Sequence, residues 1–140
     1  MSTTHKNGFV LLSSSSEWYK QLSAEELQKV VSDNKAWVER LVARGIVKGG
    51  QALARESATV LGNNKRTVVS DGPFAESKEV IGGTLLLDVA TMEEAIAIAK
   101  ACPSLRYNTN IEVRPISDEC PLTAHARLKE PGEQLATAVA

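Results

Sequence analysis

The chain has 140 residues, 43% of them hydrophobic, a length that ordinarily folds as one domain with a core of its own. Its 16 Lys and Arg against 17 Asp and Glu leave a net charge of −1, so no overall field draws it to nucleic acid or to an acidic membrane surface. The longest apolar runs, "FVLL" and "TLLL", fall far short of the roughly 20 residues a bilayer span needs, and Met1 to Gly8 contain no signal-peptide hydrophobic stretch; a cytoplasmic protein is expected.

Phe9 to Leu12 form a continuous apolar run that stops at four serines, the pattern of a short strand leaving the centre of a sheet. Ser13 to Ser16 then read as a polar loop. Ser23 and Glu26 make a capping box, after which Leu27, Val30, Val31, Trp37, Val38, Leu41 and Val42 recur at helical spacing up to Gly45. Asn34 falls on the same stripe, either as a polar group satisfied by a neighbour or as a residue lining a pocket.

"IVKGGQAL" predicts a strand with a glycine-marked bulge, and "ATVLG" and "KRTVVS" predict a hairpin around an Asn-Asn turn. Thr84 to Val89 carry apolar side chains on both faces of a strand, which places it centrally. Thr91 and Glu94 open a second amphipathic helix through Met92, Ala95, Ile96, Ala99 and Cys102, closed by Pro103. Asn110 to Ile116 give a last strand, with Ile111 and Val113 on one face and Glu112 and Arg114 on the other. From Ser117 onward the periodicity is lost. Residues 1–116 are therefore expected to form the domain, and 117–140 a tail that is flexible or packed on a neighbour.

The order strand, helix, strand, hairpin, strand, helix, strand predicts an α+β fold of the ferredoxin-like, split βαβ type with an inserted hairpin. Two helices cover only one face of such a sheet, while strand one and Thr84 to Val89 offer apolar residues to both. A second copy of the chain is the expected cover, making a homodimer; the alternative is that the hairpin or the tail folds over that face.

The string "VVSDGPFAESKEVIGGTLLLDVATMEEAIAIAKACP", followed by "IEVRPI", closely resembles the DGPF group of the YCII-related family over Gly8 to Ile116. The resemblance implies a ferredoxin-like subunit that pairs as a dimeric α/β barrel, and it implies little about activity. Shorter relatives are thought to use a histidine at the start of the first helix with an aspartate as an acid–base pair. Here "SEWYKQLSAEEL" has no histidine, and the only two, His5 and His125, lie outside the resembling core. Thr84 stands where similar proteins often carry an aromatic, and Gln51 where they often carry glutamate.

Chemistry, if any, concentrates in "DGPFAESKEVIGG". Pro73 has no amide hydrogen to offer Asp71, whose carboxylate must find another donor; buried near Glu76, one of the two acids would have a raised pKa and could exchange protons with a small substrate. Lys78 or Arg114 could hold an anionic group, and Gly82 and Gly83 would let a ligand approach the backbone. The structural alternative assigns Asp71, Gly72 and Pro73 to a turn and Phe74 to the core. It leaves Glu76 and Lys78 in water and pairs Arg114 with an acid such as Glu112.

Nothing at ligand spacing predicts a metal, and neither a P-loop nor a dinucleotide fingerprint predicts a cofactor. Cys102 and Cys120 read as reduced bystanders. Two functional expectations remain. One is a small-molecule-binding barrel dimer with acid–base chemistry at Asp71, helped by Glu76 and Arg114. The other is a non-catalytic dimer that senses a ligand or contacts proteins in transcriptional regulation.

Overall fold

The computed structural model describes residues 3–71 and 79–129. Within them the chain runs β1 (Phe9–Ser15), α1 (Ala24–Ala43), β2 (Val47–Ala52), β3 (Ala58–Asn63), β4 (Arg66–Asp71), β5 (Val80–Leu87), α2 (Met92–Lys100), β6 (Thr109–Pro115) and α3 (Pro121–Leu128). Short 3-10 turns lie at Trp18–Gln21 and Pro103–Arg106. The result is a mixed α+β fold in which β2, β5, β1 and β6, in that order, form an antiparallel sheet; β3 and β4 pair separately.

Local signals explain where the helices start. The Ser23 hydroxyl accepts from the Glu26 amide while the Glu26 carboxylate accepts from the Ser23 amide, a reciprocal cap that fixes the first turn of α1. At α2 the Thr91 hydroxyl accepts from the Glu94 amide and donates to the Glu94 carboxylate, so the cap serves one backbone amide and lacks the reciprocal bond seen at α1.

Alternation along the strands divides the sheet into two unlike faces. Phe9 and Leu11 of β1 and Leu87 of β5 pack with Trp37 and Leu41 of α1 and with Ala95, Ala99 and Cys102. Ile111 and Val113 of β6 join them, whereas Glu112 and Arg114 point the other way and are exposed. Leu86, next to the 2%-exposed Leu87, is 41% exposed on that second face, where Val10 is its cross-strand partner and Leu12 lies opposite Thr84.

Several sequence expectations need correction. β1 does not stop at Leu12 but runs through Ser15, because β5 and β6 flank it on both sides and backbone pairing proceeds whatever the side chain: Ser13 pairs with Gly83 and with Ile111. β5 begins at Val80 and ends at Leu87, shifted toward the N-terminus of the expected Thr84 to Val89. A helix, α3, forms at Pro121–Leu128, where the sequence offered no apolar period; its residues are mostly exposed. The expected bulge in β2 is present, between Val47 and Gly49.

The hairpin turn sits one residue later than the Asn-Asn pair suggested. Asn63 pairs with Arg66, and Asn64 and Lys65 carry φ of 48° and 69°, the positive values of a two-residue turn whose twist suits a hairpin. Lysine pays a steric penalty there that glycine avoids. Lys65→Gly is expected to stabilise the protein by about 0.5–1 kcal/mol, read as a raised urea midpoint.

This hairpin is apolar on both sides. Val60 and Val69 pair across it, as do Leu61 and Val68, and all four are more than half exposed. An isolated two-stranded ribbon is marginal in water, so these residues are short of a packing partner.

Candidate functional site

The face of β1 that begins with Phe9 and Leu11 continues with Ser13 and Ser15, so the side chains beneath α1 shrink along the strand. The space they leave is a cavity of about 510 Å³ between α1 and the sheet. Asn34, Trp37 and Val38 of α1 border it on one side; Leu11, Ser13, Ser15, Leu85, Thr109 and Ile111 border it from the strands. Gly50 to Ala52 and Gly82 to Thr84 make its edge, and a side chain at Gly50 would collide with the Thr84 carbonyl oxygen and the Leu85 side chain.

One end of the cavity is organised by hydrogen bonds. Asn34 Nδ2 donates to Ser104 Oγ at 2.7 Å, and the buried Cys102 thiol lies 4.0 Å from Asn34 Oδ1. Asn34 thus fulfils both of its sequence readings, satisfied by a neighbour and lining a pocket. Burial pushes the Cys102 thiol pKa up, so at neutral pH it is a protonated group and not a thiolate nucleophile. Trp37 Nε1 and Thr109 Oγ1 are buried with no hydrogen-bond partner among the described residues.

The other end is bordered by Trp18, whose ring stacks on Tyr107 with centroids 4.8 Å apart and planes within 4°. Arg55 straps the β2–β3 connection across this region: its guanidinium donates to the Ser15 carbonyl at 3.2 Å and lies 3.4 Å from the Glu17 carboxylate. Lys20 also pairs with Glu17, and chiefly through that bond holds the Glu17 pKa down.

Asp33, one position before Asn34, accepts from Arg106 at 2.9 Å and from Lys29 at 3.2 Å, which ties α1 to the turn that carries Ser104. Arg106, then Lys29, lower the Asp33 pKa from its ordinary value. A pKa depressed by folding contributes stability that is present above the unfolded value and lost as pH falls through the folded one. Urea unfolding should therefore show stability declining below about pH 4, and Asp33→Asn should flatten that decline.

Gly82 and Gly83 are the predicted site residues that border the cavity; Gly82 is the extra residue where the β1–β5 register shifts. Arg114 is placed on the opposite face of the sheet, exposed and 3.8 Å from Glu112. Asp71 ends β4, its backbone paired with Ala58. Its side chain, and Gly72, Pro73, Phe74, Glu76 and Lys78, lie outside the described residues. Ser13, Ser15, Trp18, Trp37, Ser104 and Thr109 were missed as site residues. Only Ser13 and Ser15 left a usable sign, since they extend the Phe9 and Leu11 face at the same two-residue spacing.

A profile of the YCII-related domain matches residues 11–119. The chain belongs to the YCII-related family. An uncharacterized protein of Rhizobium meliloti (strain 1021) is 34% identical over 98 residues, which cover 68% of this chain and 79% of the relative. The YCII-related span takes in every described residue bordering the cavity and leaves His5 and His125 outside it. Among the described residues no group of three or more His, Cys, Asp or Glu is placed to hold a metal, and no helix is long and apolar enough to cross a membrane.

Proposed function

We propose that this YCII-related protein binds a small molecule in the cavity between α1 and the sheet, and does so as a cytoplasmic homodimer. The observation that carries this reading is the cavity itself: about 510 Å³, mostly apolar, with a few convergent polar groups, the character of a small-molecule site. The strand order β2, β5, β1, β6, with α1 and α2 as crossovers, supports a ferredoxin-like subunit. Leu86, Val10 and Leu12 on the helix-free face, and the bare hairpin, support pairing of two such subunits into an α/β barrel.

Between the two functional classes, ligand sensing without catalysis fits the described wall better. Cys102 is the one titratable side chain among the described lining residues, and its thiol is held protonated, so no acid–base pair faces the space from them. The enzyme reading keeps one supporting observation: the segment that starts at Asp71 re-enters the sheet in β5, whose Gly82 and Gly83 border the cavity. It would use Asp71 as proton carrier with Glu76 beside it, and Arg114 only if it acted from the other face.

The test is native mass spectrometry of protein purified from cells. A small-molecule mass lost on denaturation, on a species of twice the chain mass, is expected. Consistently empty protein that is monomeric at micromolar concentration would refute the proposal. Chemical change of the bound molecule by wild type but not by Asp71→Asn supports proton transfer, and a molecule left unchanged by both supports sensing.

A further inference from the structure

The arm made by β3 and β4 has neither of its faces covered. Val60 and Val69 share one face, Leu61 and Val68 the other, and every residue from Ala58 to Val69 is exposed. The two strands form a sheet of their own, so each keeps an outer edge that no other described strand occupies. Edges and aliphatic faces of this kind are templates for further strands.

Charge along the arm is sorted by end. No charged residue lies between Glu56 and Lys65 or between Arg66 and Asp71. Lys65 and Arg66 make the tip, where Asn63 pairs with Arg66 across the turn. Glu56 precedes β3 at the base, and there the backbone of Asp71 pairs with Ala58. Neighbouring Arg55 is already matched by the Glu17 carboxylate at 3.4 Å. The arm is thus basic at its tip, acidic at its base and apolar between. Two such arms, side by side about a two-fold axis, can run parallel or antiparallel. Parallel arms would set Lys65 and Arg66 against their own copies, whereas antiparallel arms set each tip against the other's base and keep the aliphatic middles together.

We infer that the β3–β4 arm is an interaction surface for the same arm of a second copy, the two crossing antiparallel so that their aliphatic residues cover one another and the tip cations Lys65 and Arg66 meet the acidic base of the opposite arm. This deepens the homodimer reading above and rests on it. Burial of Val60, Leu61, Val68 and Val69 supplies the attraction, and the charges choose the direction. Cover by a different protein or by the chain's own body would need no match between one end of the arm and the other.

Two full-length variants test the crossing by sedimentation velocity: a tip reversal, Lys65→Glu with Arg66→Glu, and a base reversal, Glu56→Lys with Asp71→Lys. Alone, each sets like charges against like, and the dimer dissociation constant is expected to rise at least about tenfold. Mixed in equal amounts, the two variants bring opposite charges together at both ends, and the mixture is expected to dimerise within about threefold of wild type. If the base reversal does not fold, by circular dichroism, disulfide capture carries the same test. With the exposed Cys120 replaced by serine, Lys65→Cys protein and Glu56→Cys protein should link on oxidation only when mixed, because tip and base of one arm lie about 20 Å apart. Variants that dimerise as tightly as wild type, a mixture no tighter than its components, or disulfides between two Lys65→Cys tips overturn the antiparallel crossing and leave the homodimer to the helix-free face. Wild-type protein that stays monomeric at micromolar concentration overturns the homodimer reading together with this one.

Discussion

Leu87→Asp is expected to unfold the protein, whereas Leu86→Asp is expected to leave it folded and reduce its mass in solution to that of one chain. The two residues are neighbours in β5, yet Leu87 is 2% exposed in the core with Phe9 and Trp37, and Leu86 is 41% exposed on the face without helices. At Leu87 the change removes a buried side chain, worth about 2–5 kcal/mol, and adds an unpaired charge costing several more, which together approach the whole stability of a domain this size. At Leu86 the carboxylate meets water in a lone subunit and an apolar surface only in a dimer. Circular dichroism and light scattering on both variants give the answer. A Leu86→Asp protein that keeps twice the chain mass would mean that the subunits meet through some other surface.

Ser13→Leu should weaken binding of the small molecule that accompanies the wild-type protein by at least about tenfold, while changing stability by no more than about 1–2 kcal/mol. Ser13 points under α1, where the added atoms enter open space and not close-packed core, so overpacking is modest and the ligand's volume is what is lost. Ser14→Leu, one residue on, is the matched control. Its side chain faces the other side of the sheet and does not border the cavity, so affinity should stay near wild type. Calorimetric titration of both variants decides; equal losses at Ser13 and Ser14 would point to a general disturbance of β1 and not to a blocked site.

The elements whose shape is decided by neighbours in the chain were readable in the sequence. The Ser23 and Glu26 cap places the start of α1 to the residue, the paired leucines announce that β5 is internal, and the glycines of β2 announce its bulge. Where side chain and backbone give different instructions, reading failed: serine looks like loop, but Ser13 to Ser15 are held in β1 by partners about a hundred residues and seventy residues away. α3 has no apolar stripe and so no helical signature, although Pro121 at its first turn suits a helix start.

The site was less legible than the fold, for a related reason. Asn34 attracts notice because a polar residue interrupts an apolar stripe. Trp37 does not, because a tryptophan on that stripe is ordinary core; only the tertiary arrangement reveals that its N–H lacks a partner. Ser104 and Thr109 come from a short turn and a strand end whose meeting with α1 depends on the packing of α1 over the sheet. The motif that carried the family resemblance, Asp71 to Gly83, contributes Gly82 and Gly83 to the described cavity border, and the expectations for Asp71 and Glu76 stand as proposals.

The bare β3–β4 arm has a bearing on how the protein is policed inside the cell. Aliphatic strands left uncovered are what holdase chaperones and degradative proteases capture; if subunits pair over this arm as proposed, an unpaired one would display Val60, Leu61, Val68 and Val69 as a disposal tag. On that proposal, abundance would follow assembly, because an orphaned copy would be cleared.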